Sequence, residues 1–395
     1  MSLIEPRHRL FFFALFGIFT IFGTFVTIFG ATLPKILAGL GWSYFTAGLV
    51  LGASSVTYFI ATFGAGYLVK HWGAKYAILL GLALAALGML FFAVTPDPVV
   101  NMLLCAVIGV GQGCLEVGAN WATLRIDTEG KGRPMNLMHS AFAFGAILGP
   151  IAVGLLLKAG LDWITVYRGI AAVLAALAIL AMPLNMHLAS TTPAEPNAAP
   201  QRLRSNPAYW ISFVALFCFV GVELGLTGWI AEYFVQVFAY QPSQSAFLVS
   251  LFWIGMLAGR LGVPLLYHGP HQGEMLIALS GLATLSTAGL CLLGLTPASG
   301  LTQALGLGLV FLAGFGCSIY YPAVMSLLGK RFPLAQSQAI AFAATGGGIG
   351  AFVFPFLMSA LAQGWGIRSG FAAYVIVSVA MTLAAIGLLR TEPKR

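Results

Sequence analysis

VIGVGQGCLEVGANWATLR, residues Val107–Arg125, is apolar enough to cross a membrane yet carries Gln112, Glu116 and Asn120 at successive spacings of four. On a helix that spacing stacks the three side chains on nearly one face. Gly109, Gly111, Gly113 and Gly118 lie beside them and offer close-approach surface. Lipid does not tolerate a carboxyl and two amides, so this face must look at protein or at a watery cavity. The rest of the chain reads as the housing for that face.

Composition decides the class. Hydrophobic residues make up 59% of the 395 residues and charged residues only 8%, far from the balance of a soluble globular chain. Glycine reaches 48 residues, as expected where membrane helices pack closely. The formal net charge of +8 does not point to nucleic acid, because the basic residues are dispersed rather than gathered into a patch. Cys105, Cys114, Cys218, Cys291 and Cys317 all fall inside apolar stretches without metal-ligand spacing, so they read as small buried hydrophobes rather than a disulfide framework. The first apolar run is too long for a cleavable signal peptide and lacks a small-residue cleavage site.

Apolar windows of spanning length fall near 11–33, 46–69, 75–95, 100–124, 136–157, 164–184, 208–235, 245–266, 275–295, 303–327, 337–361 and 369–389. The expected fold is therefore an all-α membrane protein with twelve transmembrane helices. Of the 19 Lys and Arg, all but Lys35, Lys158, Arg168 and Arg368 fall on one side of that map. The positive-inside rule then puts both termini in the cytoplasm of a cell, with a bacterial inner membrane as the expected location. The polar stretch 186–207, rich in Pro, Ala, Ser and Asn, reads as a linker between an N-terminal six-helix half, 1–185, and a C-terminal one, 208–395. The halves echo each other: AFAFGAILGP (Ala141–Pro150) against AFAATGGGIGAFVFP (Ala341–Pro355), and GVGQG in the fourth helix against GFG in the tenth.

Two related six-helix halves with a cytoplasmic linker resemble the plan of the major facilitator superfamily. The stretch Gly66–Lys75 resembles that superfamily's short loop after the second helix, with Lys70 where an Asp is usual and His71 where an Arg is usual. Gly145-x-x-x-Gly149-Pro150 resembles a superfamily turn often emphasised in antiporters. GQGCLEVGAN (Gly111–Asn120), NLMHSAFAFGAILGP (Asn136–Pro150), VGVELGLTGWIAEYF (Val220–Phe234) and FWIGMLAGRL (Phe252–Leu261) are similar to the fucose permease branch and its glucose-transporting relatives. The resemblance implies a sugar substrate and a proton-coupling role for the fourth-helix acid, which Glu116 matches. The first-helix acid of that branch is missing here: Ile21–Pro34 contains no Asp or Glu, and Gly30 stands at the matching position.

The candidate substrate contacts are Gln112, Glu116, Asn120, Glu223, Trp229 and Tyr320. A carboxyl sheltered from lipid serves either as a donor to a neighbouring helix or as a proton carrier, and inside a membrane the functional reading is the default. Amides both donate and accept, which suits sugar hydroxyls, although they also glue helices together. Glu223 is near the centre of the seventh helix, where Gly221, Gly225 and Gly228 permit a break or bend. Trp229 reads as a stacking surface for a sugar's C–H face or as an interfacial belt residue. Trp253 reads as packing on an apolar helix, with a place facing the cavity as the alternative. Tyr320 and Tyr321 precede Pro322 in the tenth helix and stand within reach of a ligand. His139, at the expected depth of Asn120, joins Glu116 and Glu223 as a coupling candidate, because imidazole changes charge near neutrality. Lys70, Lys75, Arg260 and Glu232 are the gating candidates, Arg260 as a cytoplasmic helix-end lock and Glu232 near the outer rim. Gly346, Gly347, Gly348 and Gly350 permit tight packing and bending.

The glycine clusters are not phosphate loops, since no strand precedes them and no Lys-Ser/Thr follows. No Ser-His-Asp set, metal cluster or paired carboxylates in a soluble context occurs, so neither enzyme activity nor a cofactor is expected. The expected function is secondary transport of a small polar solute, foremost a monosaccharide, by alternating access around a midplane site between the halves. Protons or sodium are the expected coupling ions, the lipid bilayer the surroundings, and the assembly a monomer. Proton-driven efflux of a hydrophobic compound or metabolite is the alternative, and a non-transporting receptor or scaffold ranks below both.

Overall fold

A computed structural model describes residues 9–126, 133–184, 203–266, 272–332 and 335–391. Most of the expected linker, 185–202, lies outside the described residues, as do Lys131, Lys394 and Arg395. The described residues are helical throughout, with no strand among them. The chain forms two compact units, Met1–Thr192 and Pro193–Arg395.

The first unit contains α1 (Arg9–Leu40), α2 (Tyr44–Trp72), α3 (Ala74–Phe91), α4 (Pro98–Ile126), α5 (Arg133–Lys158) and α6 (Trp163–Ala181). Sequence signals set the ends. Ser43 and Asp162 lie before α2 and α6 with extended backbones, and their side chains accept from Thr46 N and Ile164 N. Gly41, Gly73 and Gly160 stand at helix junctions with φ of 66°, 91° and 81°, a region that favours glycine. The expected loop at Gly66–Lys75 is reduced to Gly73 alone, with α2 running through Lys70 and His71. The apolar stripe Val56, Ile60, Phe63 and Tyr67 on α2 is exposed, the inverse of a soluble helix.

Glycine determines which helices touch. On α4, a Cβ at Gly109 or Gly113 would run into α2 at Ser54 O or at Tyr58 O and Thr62 N. One at Gly111 or Gly118 would run into α3 at Gly81 and Ala85 or at Ala74, Ala77 and Ile78. Thus α4 lies between α2 and α3, with a bare seam toward each. Likewise α1 and α5 meet through Gly23 against Phe142 O, Gly145 against Thr20 O and Gly149 against Thr24. The expected turn at Gly145–Pro150 is absent, because α5 stays helical through Pro150 and these glycines are spent on contact with α1.

The second unit contains α7 (Pro207–Phe238), α8 (Pro242–Leu266), α9 (Gln272–Leu293), α10 (Gly300–Cys317), α11 (Tyr320–Arg331) and α12 (Gln336–Arg390). The same contact plan recurs inside it. Gly314 of α10 lies against Phe252 of α8, while Gly316 lies against Ala283 of α9, as Gly109 and Gly111 of α4 do with α2 and α3. Gly346 and Gly350 of α12 meet Phe213 and Phe217 of α7, as Gly145 and Gly149 of α5 meet α1. The echo noticed in sequence is therefore an echo of helix contacts. Eleven stretches of the described residues are long and apolar enough to cross a membrane. The last, α12, holds two of the expected spans, because Gly366 (φ 82°, ψ 160°) breaks the helix inside it. The tenth expected span is divided into α10 and α11 by a two-residue turn at Ser318 and Ile319, whose backbone stays in the right-handed helical region.

Candidate functional site

In the first unit the site is built on α4. Gly109 and Gly113 bring α2 close, and Glu116 follows Gly113 by three residues, which places it on the same side. Tyr58 of α2 takes advantage of the approach, donating its hydroxyl to Glu116 Oε2 at 2.6 Å. Gln112 is buried at 8% exposure, whereas Glu116 and Asn120 are half-buried. Asn120 Oδ1 is shielded from water and has no hydrogen-bond partner. An amide oxygen in that condition is an unused acceptor, costly unless something else supplies a donor. At the end of α4, the Arg125 guanidinium lies 4.5 Å over the Trp121 ring, a cation–π contact that occupies the helix terminus.

His139 of α5 meets Phe19 of α1 edge-on, with 5.5 Å between ring centroids. Lys70 is exposed at the end of α2, and His71 beside it packs its ring on Tyr67 at 3.9 Å. Lys75 donates to Met182 O at 2.5 Å, just past α6, so its ammonium satisfies a helix C-terminal carbonyl. Arg168 does the same for α3, donating to Met89 O at 2.8 Å. Arg368 donates to Gly294 O, just past α9, at 2.9 Å. Two of the four cations on the sparsely charged side therefore serve as helix caps.

In the second unit Glu223 is half-buried near the middle of α7, which runs unbroken. No break interrupts the helix at its glycines: Gly221 lies against Phe354, and Gly225 lies against the Tyr374 ring, so they serve packing. Trp229 is buried at 3% exposure. Glu232, expected near a rim, is also buried and accepts from Gln236 Nε2 at 2.9 Å, one turn along the same helix. Tyr233 donates to Leu290 O at 3.2 Å. Tyr320 is buried, stacks on Phe219 at 5.2 Å and donates to Met381 O at 2.6 Å, which commits both its ring and its hydroxyl to the fold.

Arg260 of α8 is half-buried and on one row with buried Trp253 and Met256. Its Nε donates to Ser318 O at 3.2 Å, in the break between α10 and α11. That carbonyl is free for a local reason. Its helical donor would be the N–H four residues on, and residue 322 is proline. Arg260 is also within electrostatic reach of Glu223 and Cys317.

Sequence reasoning missed Tyr58 and the Ser318–Pro322 break. A tyrosine in an apolar run carries no periodic signal, but one able to face an intramembrane acid across a glycine seam would have been worth listing. Among the described residues no cluster of three or more His, Cys, Asp or Glu is placed to hold a metal ion.

Comparison with known proteins agrees with this architecture. The model of the Major Facilitator Superfamily matches residues 13–310 and 285–395. An uncharacterized MFS-type transporter of Yersinia pestis is 25% identical over 93% of this chain and 94% of its own length. A TsgA homolog of Yersinia enterocolitica is 21% identical over 58% of each chain. Among solved structures, a bacterial homolog to the human lysosomal transporter Spinster superposes with a TM-score of 0.77 at 13% identity, covering 98% of both chains. The D-xylose-proton symporter superposes with a TM-score of 0.76 at 16% identity, over 97% of this chain and 98% of the other. At such identities the structural likeness is one of fold.

Proposed function

The chain belongs to the major facilitator superfamily, and from that premise we propose that it is a secondary transporter moving a small polar solute, a monosaccharide, by alternating access. It is a multi-pass membrane transporter rather than an enzyme. The observation that carries the sugar reading is the polar row of α4: a carboxyl held by the Tyr58 hydroxyl at 2.6 Å, with the unpartnered Asn120 oxygen one turn away. A polyol supplies the hydroxyl donors that row lacks, and the carboxyl accepts further hydrogen bonds or takes a proton. Gln112 extends the row, and Glu223 and Trp229 are the contributions proposed from the second unit. The sequence likeness to the fucose permease branch supports the same substrate class.

Coupling is proposed to run on protons through Glu116, with Glu223 and His139 as further participants, because α1 contains no Asp or Glu to share the task. Sodium is the second coupling ion to test. Lys70 and Lys75 remain the proposed gate residues, and Glu232 a third. The charge bias supports cytoplasmic termini in a cell membrane. The efflux reading loses one of its supports, since Gly145 and Gly149 are explained by contact with α1.

The test is uptake of radiolabelled monosaccharides by purified protein in proteoliposomes, with an internal pH dye to follow protons. Sugar-dependent acidification in the wild type, abolished by Glu116→Gln, is the expected result. Coupled uptake unchanged by Glu116→Gln removes the assigned role. Flux of lipophilic cations with none of sugars favours efflux.

A further inference from the structure

Arg260 was expected as a gate, but its surroundings suit another task. A guanidinium inside a membrane span is costly, and such residues mark substrate or ion paths. Only the Nε edge is in use, tied to the carbonyl that Pro322 leaves without a helical donor. Among the described residues the two Nη groups make no hydrogen bond or ion pair. The Ser318 side chain is fully buried against Gly259, its hydroxyl unpartnered, so the residue that anchors Arg260 is itself fixed by packing. The result is a guanidinium clamped by one edge, with its end-on pair of Nη donors unassigned. That pair matches the two oxygens of a carboxylate.

We propose that Arg260 is a recognition site for the carboxylate of the transported solute, so that the substrate is a sugar acid rather than a neutral sugar. The sugar part of this proposal rests on the function proposed above. Glu223 is within electrostatic reach of the same guanidinium, and it makes the site competitive. A charged Glu223 neutralises Arg260 at a distance. A protonated Glu223 leaves the cation to the incoming carboxylate. Proton and anion thus enter together without a net change of charge, which supplies coupling in a chain whose first helix has no acid. Among the described residues, Cys317 of α10 feels both charges, Tyr320 of α11 lies by Cys317 and Cys218, and Tyr374 of α12 lies against Gly225, two residues from Glu223. Tyr320 is already occupied by Met381 O. Tyr374 has a buried, unpartnered hydroxyl against Gly225, and a neutral phenol there adds no charge to the balance.

The first unit does not repeat this arrangement. In the matched contact plan Gly109 and Gly111 correspond to Gly314 and Gly316, which puts Gly113 opposite Ser318. There α4 continues as an unbroken helix. Among the described residues, an arginine held on such a turn carbonyl is a feature of the second unit.

The experiment measures binding and uptake of matched pairs, D-glucose with D-glucuronate and D-galactose with D-galacturonate, by the full chain in detergent and in proteoliposomes. Wild-type protein should bind one of the acids about tenfold or more tightly than its neutral partner, the scale of a charge-assisted bidentate contact. Arg260→Gln should abolish that preference while retaining weak binding of the neutral sugar, and Arg260→Lys should recover part of it. Glu223→Gln should flatten the pH dependence of acid uptake. Equal or tighter binding of the neutral sugar by the wild type overturns the proposal without recourse to any variant, and so does an acid preference that survives Arg260→Gln. If no sugar of either kind binds but D-gluconate or a simple hydroxy acid does so in an Arg260-dependent way, the monosaccharide reading falls and the carboxylate site stands. If no carboxylate binds at all, the site is refuted.

Discussion

Replacing Tyr58 by Phe removes one oxygen and leaves the ring between α2 and α4. The hydroxyl lost is the donor to Glu116 Oε2 at 2.6 Å. In the ionised half of the proposed proton cycle this is a charge-assisted bond, a class that spans about 2.5–2.7 Å. Hydrogen bonds to charged groups contribute about 1.5–3 kcal/mol, so an uptake that needs Glu116 held in place should fall roughly tenfold to 150-fold. The double-mutant cycle sharpens the test. In a Glu116→Gln background Tyr58 faces a neutral acceptor, and such a bond is worth only about 0.5–1.5 kcal/mol. Tyr58→Phe should therefore cost about 1–1.5 kcal/mol less there, a loss roughly five- to tenfold smaller. The assay is the initial rate of sugar uptake down its own gradient in proteoliposomes, a flux that needs no proton coupling and so stays readable in the Glu116→Gln background, with thermal unfolding in detergent as a check that every variant is folded. Uptake by Tyr58→Phe within twofold of wild type refutes the reasoning. An equal loss in both backgrounds refutes it too, since it shows that the hydroxyl acts elsewhere.

Further expectations concern packing, backbone and Tyr320. Gly145→Ala should lower the thermal midpoint through overpacking of about 1–3 kcal/mol, because its Cβ would collide with Thr20 O. Gly17→Ala on α1, with nothing within 4 Å, should be neutral or stabilising; equal effects at the two sites contradict the contact plan. Gly73→Ala and Gly366→Ala place a side chain at φ of 91° and 82° and should each cost about 1–3 kcal/mol in unfolding experiments, although neither site is crowded. Tyr320→Phe removes the hydroxyl's bond to Met381 O, a carbonyl that keeps its helical donor within α12, and should lower stability by about 0.5–1.5 kcal/mol with solute affinity unchanged. Lost affinity at intact stability would return Tyr320 to the binding site.

Much of the architecture was legible from composition and spacing. An apolar run of spanning length allows only a helix once backbone groups must satisfy one another in lipid, so spans were readable even where their ends were not. The polar row of α4 was equally plain, because a spacing of four defines one helix face without knowledge of the neighbours. Junctions were harder. The loop expected at Gly66–Lys75 shrank to Gly73, and the turn at Gly145–Pro150 was continuous helix. In both cases glycine has two uses, conformational freedom and close approach, and sequence alone does not separate them.

What the sequence by itself determined is the membrane class, the helix inventory, the internal echo and the identity of the few polar groups that lipid would reject. These follow from local terms: transfer cost, helical period and charge placement. Tertiary structure alone decided how those polar groups are used, because a hydrogen bond between helices depends on which seams meet. Tyr58 reaches Glu116 across a sequence separation of 58 residues, because Gly113 lets α2 approach. Tyr320 is claimed by a carbonyl 61 residues away. Arg260 reaches Ser318 O, 58 residues on, only where Pro322 has left that carbonyl open. A proline's missing N–H is visible in the sequence, whereas the side chain that replaces it is chosen by packing.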